Sequence, residues 1–149
     1  RIAGMEMQIG SYCEELDPLW KASLVDDDHW HYDVYSCRDS EKLAGSITDN
    51  YQKVGEFDLP NANKWSWNFI RALNKMAAEA QIPTNFGGSI STYVKAAFAS
   101  PGGAGVYAPW RFGNLGDGGS CGLPCARGNG GPGSSYWNGV PRHADDKKP

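Results

Sequence analysis

Apolar and polar positions alternate early in the chain. Met5, Met7 and Ile9 are separated by polar residues, and residues 30–35 read Trp-His-Tyr-Asp-Val-Tyr. A period of two marks a strand with one buried face. Between these stretches Pro18 interrupts the chain, and Leu16, Leu19 and Trp20 are expected to enter the core near a turn. Residues 36–63 read as a polar hairpin region, in which Gly45, Asn50 and Gly55 separate Ile47, Tyr51 and Val54.

The pattern changes after residue 63. Trp65, Phe69, Leu73, Met76 or Ala77, and Ala80 recur every three or four positions, which predicts a helix over residues 64–81. Trp67 and Ile70 widen the stripe, while Lys64, Arg71, Lys75 and Glu79 lie mostly on the other side. Asn61 or Asn63 can cap its start, and Pro83 stops it. A second helix is predicted after Phe86-Gly87-Gly88, capped by Ser89 or Ser91. Its apolar face would be Tyr93, Val94, Ala97 and Phe98, and Ser100-Pro101 would end it. Beyond that no helical period returns. Residues 106–112 read as a strand that Pro109 makes irregular or places at an edge. Residues 121–125 and 135–140 read as short strands between glycine turns. Strands, two helices, then irregular strands make an α+β arrangement. At 149 residues the chain fits one domain, residues 1–143, followed by a polar tail, 144–149, expected to be disordered.

Residues 106–143 stand apart. They hold more than half of the 19 glycines, and Asp117 is their one acidic residue. Glycine loses the most backbone entropy on ordering, so such a tract is usually a flexible linker. This one carries Tyr107, Trp110, Phe112, Leu115, Leu123, Tyr136, Trp137 and Val140. That aromatic load reads as an ordered, loop-rich surface pinned by buried side chains.

Composition narrows the function classes. A formal charge of −3 disfavours nucleic acid, which calls for a basic stripe. No apolar run reaches the ~18–20 residues that cross a bilayer as a helix. The chain opens on Arg1 rather than Met, which reads as a processed product or a piece of a longer chain. Cys13, Cys37, Cys121 and Cys125 allow three pairings, and the Cys-x3-Cys spacing is not that of a zinc knuckle. Free thiols, disulfides and metal ligands all stay open. Asp26-Asp27-Asp28-His29-Trp30-His31 invites a metal reading, but the plainer one is a solvated acidic loop running into a strand.

Trp110-Arg111-Phe112-Gly113, Asp117 through Gly122, Tyr136-Trp137-Asn138-Gly139 and Pro141-Arg142 together form a signature. It resembles the C-type-lectin-like domains of phage and bacterial variable proteins made by diversity-generating retroelements. Gly4 through Gly10, Leu16 through Trp20, and Gly87-Gly88-Ser89 with Ser91-Thr92-Tyr93 are similar to other parts of such proteins. The resemblance implies two helices flanking a small, mostly antiparallel sheet, with long irregular C-terminal loops. It implies a receptor-binding domain of a phage tail fibre or related surface protein, located on the virion or a bacterial surface, and often trimeric. The partner would be a host cell-surface protein or glycan, with no cofactor and no metal. Ser120, Leu123, Arg127, Asn129, Ser134, Ser135 and Tyr136 become candidate display positions, over scaffold anchors Trp110, Phe112 and Trp137. The cysteines depart from that family's commoner pattern, so the resemblance assigns no pairing. The alternative is a structural virion protein of the same fold without a diversified site.

Catalytic motifs occur in the same tract. Gly118-Gly119-Ser120-Cys121-Gly122 satisfies G-x-S-x-G, but no helix is predicted after it and His143 precedes Asp145 and Asp146. Gly128 through Gly133 satisfies G-x-G-x-x-G without the strand and helix of a dinucleotide site. Cys121 and Cys125 resemble the cysteine pair of formylglycine-generating oxidases, in a shorter chain with no evident ligand cluster for calcium or copper. Glycine-rich sequence satisfies such patterns cheaply, and the chain is expected to be non-catalytic.

Overall fold

Residues 19–36 fold as a hairpin of β2 (Leu19–Val25) and β3 (His29–Ser36). Trp20, Ala22, Trp30, Tyr32 and Val34 are buried on one face, as a period of two requires. At the turn, Asp28 N–H donates to Val25 O, and Asp26 and Asp27 both have positive φ (49° and 55°). Positive φ at both central positions is the signature of a primed hairpin turn, whose twist matches the strands it joins, and aspartate tolerates that region. The hairpin belongs to a computed structural model that describes residues 13–15, 18–73, 83–87, 97–111, 126–132 and 139–141.

The other described strands extend the hairpin in both directions. They are β1 (Cys13–Glu15), β4 (Gln52–Leu59), β5 (Trp67–Leu73), β6 (Pro83–Phe86), β7 (Ala97–Ala99), β8 (Gly105–Arg111), β9 (Ala126–Gly130) and β10 (Gly139–Pro141). The order is β4-β3-β2-β8-β9-β7-β5-β6, with β1 on β8 and β10 on β1. Pairing is antiparallel except for β1 with β10 and β7 with β9. Along one edge of β8, Tyr107 pairs with Trp20 and Trp110 with Glu15. β1 and β2 thus follow one neighbour, with Pro18, which has no N–H to donate, between them. β4 and β6 end the order yet come together, with the rings of Phe57 and Phe86 6.3 Å apart. The sheet rolls around its core until its two ends meet.

That core is aromatic. Trp20 stacks on Phe98 with centroids 5.3 Å apart, and Tyr32 stacks on Phe57 at 4.9 Å. The two stacks meet edge to face: Trp20 is 5.3 Å from Phe57, and Tyr32 is 5.5 Å from Phe98. Such pairs contribute ~0.5–1.5 kcal/mol each beyond area burial. A smaller cluster forms on the opposite face, where Tyr51 packs with Leu19 and Ala108. The Tyr51 hydroxyl donates to Ala44 O at 2.9 Å and accepts from Ala44 N–H, which ties down the loop covering that end of the face.

The α+β, C-type-lectin-like expectation is overturned. The described residues contain ten strands, a single 3₁₀ turn (Ser40–Lys42) and no α-helix. The first predicted helix contains β5 instead. Asn68 and Ile70 are buried and Trp67 and Phe69 are half-buried, an alternation the three-to-four-residue stripe concealed. Its proposed cap, Asn61, accepts from Asn63 N–H in a local turn with no helix after it. The second predicted helix ends in β7, where Phe98 is fully buried between β5 and β9. Short apolar runs fit either period, and aromatic and β-branched residues fit a pleated surface well. Partners distant in sequence decided the outcome. The remaining parts of both predicted helices, the alternation at Met5 to Ile9, Leu16 and the 144–149 tail lie outside the described residues. Residues 106–112 do carry a strand, β8, and it is irregular at Pro109. It is interior rather than at an edge, because the register shift between Ala108 and Trp110 absorbs the proline.

Phe98 touches three rings of the cluster, so truncating it leaves a cavity that the sheet cannot close. Phe98→Ala is expected to cost about 3–5 kcal/mol in urea denaturation. A loss below about 1 kcal/mol would show that this cluster is not what holds the roll.

Candidate functional site

Two regions carry chemistry. The first is the glycine-rich segment, of whose described strands β8 and β9 run through the middle of the sheet and β10 pairs with β1. Trp110, on β8, is buried at 4% exposure, and Pro109 beside it is fully buried. Arg127 and Asn129 lie on β9, with Arg127 opposite Trp110 on one side and Ala99 on the other. Ser120, Leu123, Ser134, Ser135, Tyr136, Phe112 and Trp137 lie outside the described residues, as do Cys121, Cys125 and the G-x-S-x-G stretch. The G-x-G-x-x-G stretch begins inside β9, so its first three residues run along a strand rather than around a strand-to-helix turn.

Gly130 closes this region. A Cβ placed there would lie 2.7 Å from Trp110 Nε1 and 3.0 Å from Cε2. The indole is almost fully buried, so the contact cannot be relieved by swinging it into solvent. Gly130→Ala is therefore expected to destabilise by about 1–3 kcal/mol, read from the denaturation midpoint, with no loss of secondary structure by circular dichroism.

The second region is a row of charges on the solvent face of β3 and β4. His29, His31 and Asp33 alternate along β3 and share that face, and the register sets Asp58 opposite His31 and Glu56 opposite Asp33. Lys53 and Glu56 are three residues apart, a spacing that would put them on opposite faces of a regular strand. The bulge between Val34 and Tyr35 turns Lys53 onto the face of Glu56.

The contacts run in sequence. His31 Nδ1 is 2.7 Å from Asp58 Oδ1, and its Nε2 is 3.4 Å from Asp33 Oδ1. Lys53 Nζ lies 2.6 Å from that Asp33 oxygen and 2.5 Å from Glu56 Oε2. Asp58 also lies 3.7 Å from His29 Nε2, and His29 Nδ1 is 3.3 Å from Asp28. Acid and base alternate from Asp28 to Glu56. The hydrogen bond to Asp58 raises the His31 pKa; partial burial opposes this, and Asp33 adds to the rise. Burial pushes the Asp33 carboxyl up, but Lys53 and His31 outweigh it, and the net shift is downward. Lys53 is raised by its hydrogen bonds to Asp33 and Glu56.

Single ligand atoms of His31, Asp33 and Glu56 lie within 4.8 Å of one another, a spacing a divalent cation could use. The Lys53 ammonium bridges the two carboxylates, so the cation held there is the protein's own. Asp26 and Asp27, prominent in the sequence, stay in the exposed turn. Ser23 stands opposite His31 on β2, which completes a serine–histidine–aspartate row across three strands. No hydrogen bond joins Ser23 to His31, whose second nitrogen faces Asp33 instead. The nucleophile–base contact of a triad is absent. Of this row, only the histidines and the Asp26–Asp28 run stood out in the sequence. Asp33, Glu56 and Asp58 could have been found by pairing the two alternating strands, whereas Lys53 depends on the bulge. Cys37 is a half-buried free thiol, donating to Asp39 O.

The row implies a pH dependence. A raised folded-state pKa for His31 gives a contribution fully present below the ordinary 6.5 and lost as pH rises through the folded value. A lowered Asp33 pKa gives one present above 3.8 and lost as pH falls below it. Stability measured by urea denaturation is expected to fall on going from pH 6 to pH 8, and His31→Gln is expected to flatten that step. An unchanged step in the variant would assign it to another group.

No protein-family model, no curated protein and no solved structure matches this chain.

Proposed function

We propose that this chain is a recognition module of a surface appendage, such as a phage tail fibre, that works by binding a host cell-surface protein or glycan and not by turnover. In this reading the module acts as a homo-oligomer, and the glycine-rich segment is its contact surface. One observation carries the proposal: the two longer described strands of that segment, β8 and β9, are interior to the sheet, between β2 and β7, while its third, β10, pairs with β1 alone. Loops leaving interior strands start from a fixed frame, so the side chains they carry lose little further entropy on binding. Arg127 and Tyr136 are residue types that dominate interface energetics. The aromatic core takes the place of the helix-flanked scaffold, so the proposal carries over no fold from the variable proteins.

Two measurements test it. Binding of labelled protein to intact host cells is expected to weaken about tenfold or more in Arg127→Ala and Tyr136→Ala, with the melting temperature of Tyr136→Ala nearly unchanged. Equal binding by both variants would remove the segment from the interface. Diversification has its own signature: a near-repeat of the codons for residues 106–143 that differs only at adenines, beside a reverse-transcriptase gene. Its absence from the neighbouring DNA would eliminate the variable-protein form of the proposal and leave an invariant binding module.

A further inference from the structure

Trp65 stands in an unusual setting. It is 63% exposed, and among the described residues only Leu24 and Leu43, on other elements, are also exposed large hydrophobic side chains. Its φ is +57°, a region that costs free energy for any residue with a Cβ and that turns ordinarily fill with glycine or asparagine. The indole seats on Gly102: a Cβ built there would lie 1.9 Å from Trp65 Cζ2. One side of the ring is closed by backbone, and most of the side chain faces water.

The turn that holds Trp65 is fixed from below by Ser100, which is fully buried. Ser66 N–H donates to Ser100 Oγ at 2.8 Å, Ser100 Oγ donates to Asn63 O at 2.7 Å, and Ser100 N–H donates to Ser66 O at 2.9 Å. Both ends of the turn are therefore locked before any ligand arrives. A turn needed only to connect Leu59 to Trp67 would be more stable with glycine at position 65. Backbone strain in a preorganised frame marks a candidate site when something is presented there, and here it is one flat aromatic surface.

We infer that Trp65 is a stacking platform for a sugar ring of a glycan, a fixed contact outside the glycine-rich segment and independent of it. The surroundings select the class. Protein partners of ordinary affinity need a contiguous apolar patch of several hundred Å², whereas Trp65 stands among Asn61, Asn63 and Lys64, all polar and exposed or half-exposed. An isolated flat ring beside amide groups and one ammonium fits a ligand with an apolar C–H face and a hydroxyl edge, which describes a pyranose. Charge also fits a neutral or mildly acidic glycan, since no carboxylate lies between Leu59 and Trp67.

Affinity electrophoresis through gels containing mannan, xylan, dextran or bacterial O-polysaccharide tests this. At least one is expected to retard the wild-type protein. Trp65→Gly is expected to weaken that retardation about tenfold, while its melting temperature stays equal or rises because glycine suits the backbone. Gly102→Ala keeps the indole but drives it off its seat, and it too is expected to reduce retardation. Tyr136→Ala is expected to leave it unchanged, which separates this site from the glycine-rich surface. The inference is overturned if no polysaccharide retards the wild type, if Trp65→Gly is retarded as strongly as wild type, or if Trp65→Gly loses only binding to a protein partner.

Discussion

The described part of this fold depends on the mutual packing of four rings, Trp20, Tyr32, Phe57 and Phe98, drawn from four strands. Each stack joins residues that are distant in sequence, and the edge-to-face contacts between the stacks lock the pairs together. A sheet that carried these rings on one flat face would leave half of each in water. Rolling until β4 meets β6 buries them on all sides, so the curvature of the sheet follows from the size of its core side chains. The bulges at Val34/Tyr35 and Ala108/Trp110 are where that curvature is accommodated.

Those irregularities also shape the chemistry of the surface. The bulge on β3–β4 turns Lys53 outward to bridge Asp33 and Glu56, which makes an ion-pair row out of what would otherwise be an acidic cluster with two histidines. Pro109 is tolerated in an interior strand because the second bulge removes the demand for its missing N–H. The row also lies on β4, which ends the hydrogen-bonded strand order. Charged side chains there discourage pairing with the edge of another chain, so the row has a structural use whether or not it meets a ligand.

The legible parts of the chain were those where local pattern and tertiary environment agree. The strand at residues 30–35 could be read because β3 has one face in the core and one in water, and the same asymmetry separated Trp30 and Tyr32 from His29 and His31. The histidines were visible as candidate ligands, yet their partners were not, since Asp58 comes 27 residues after His31. The spacing of Trp65 places it on the buried stripe of a helix, whereas in the fold it is the most exposed large hydrophobic residue described. One local decision, helix or strand, reversed its meaning. Trp67, Phe69, Leu73 and Phe98 fit a helical spacing and a strand alternation equally, and no residue near them in sequence breaks the tie.

Local sequence was enough to specify the strand at residues 30–35, the interruption at Pro18 and the aromatic character of the core, because each depends on neighbours within a few positions. Pairing across the chain decided the rest. β5 and β7 are strands because β6 and β9 supply hydrogen-bond partners for their backbones. Phe98 is core because three other strands bring rings to it. A backbone group must be paired wherever it is buried, and the partner that satisfies it can come from anywhere in the chain, which a periodicity of three or four residues does not record.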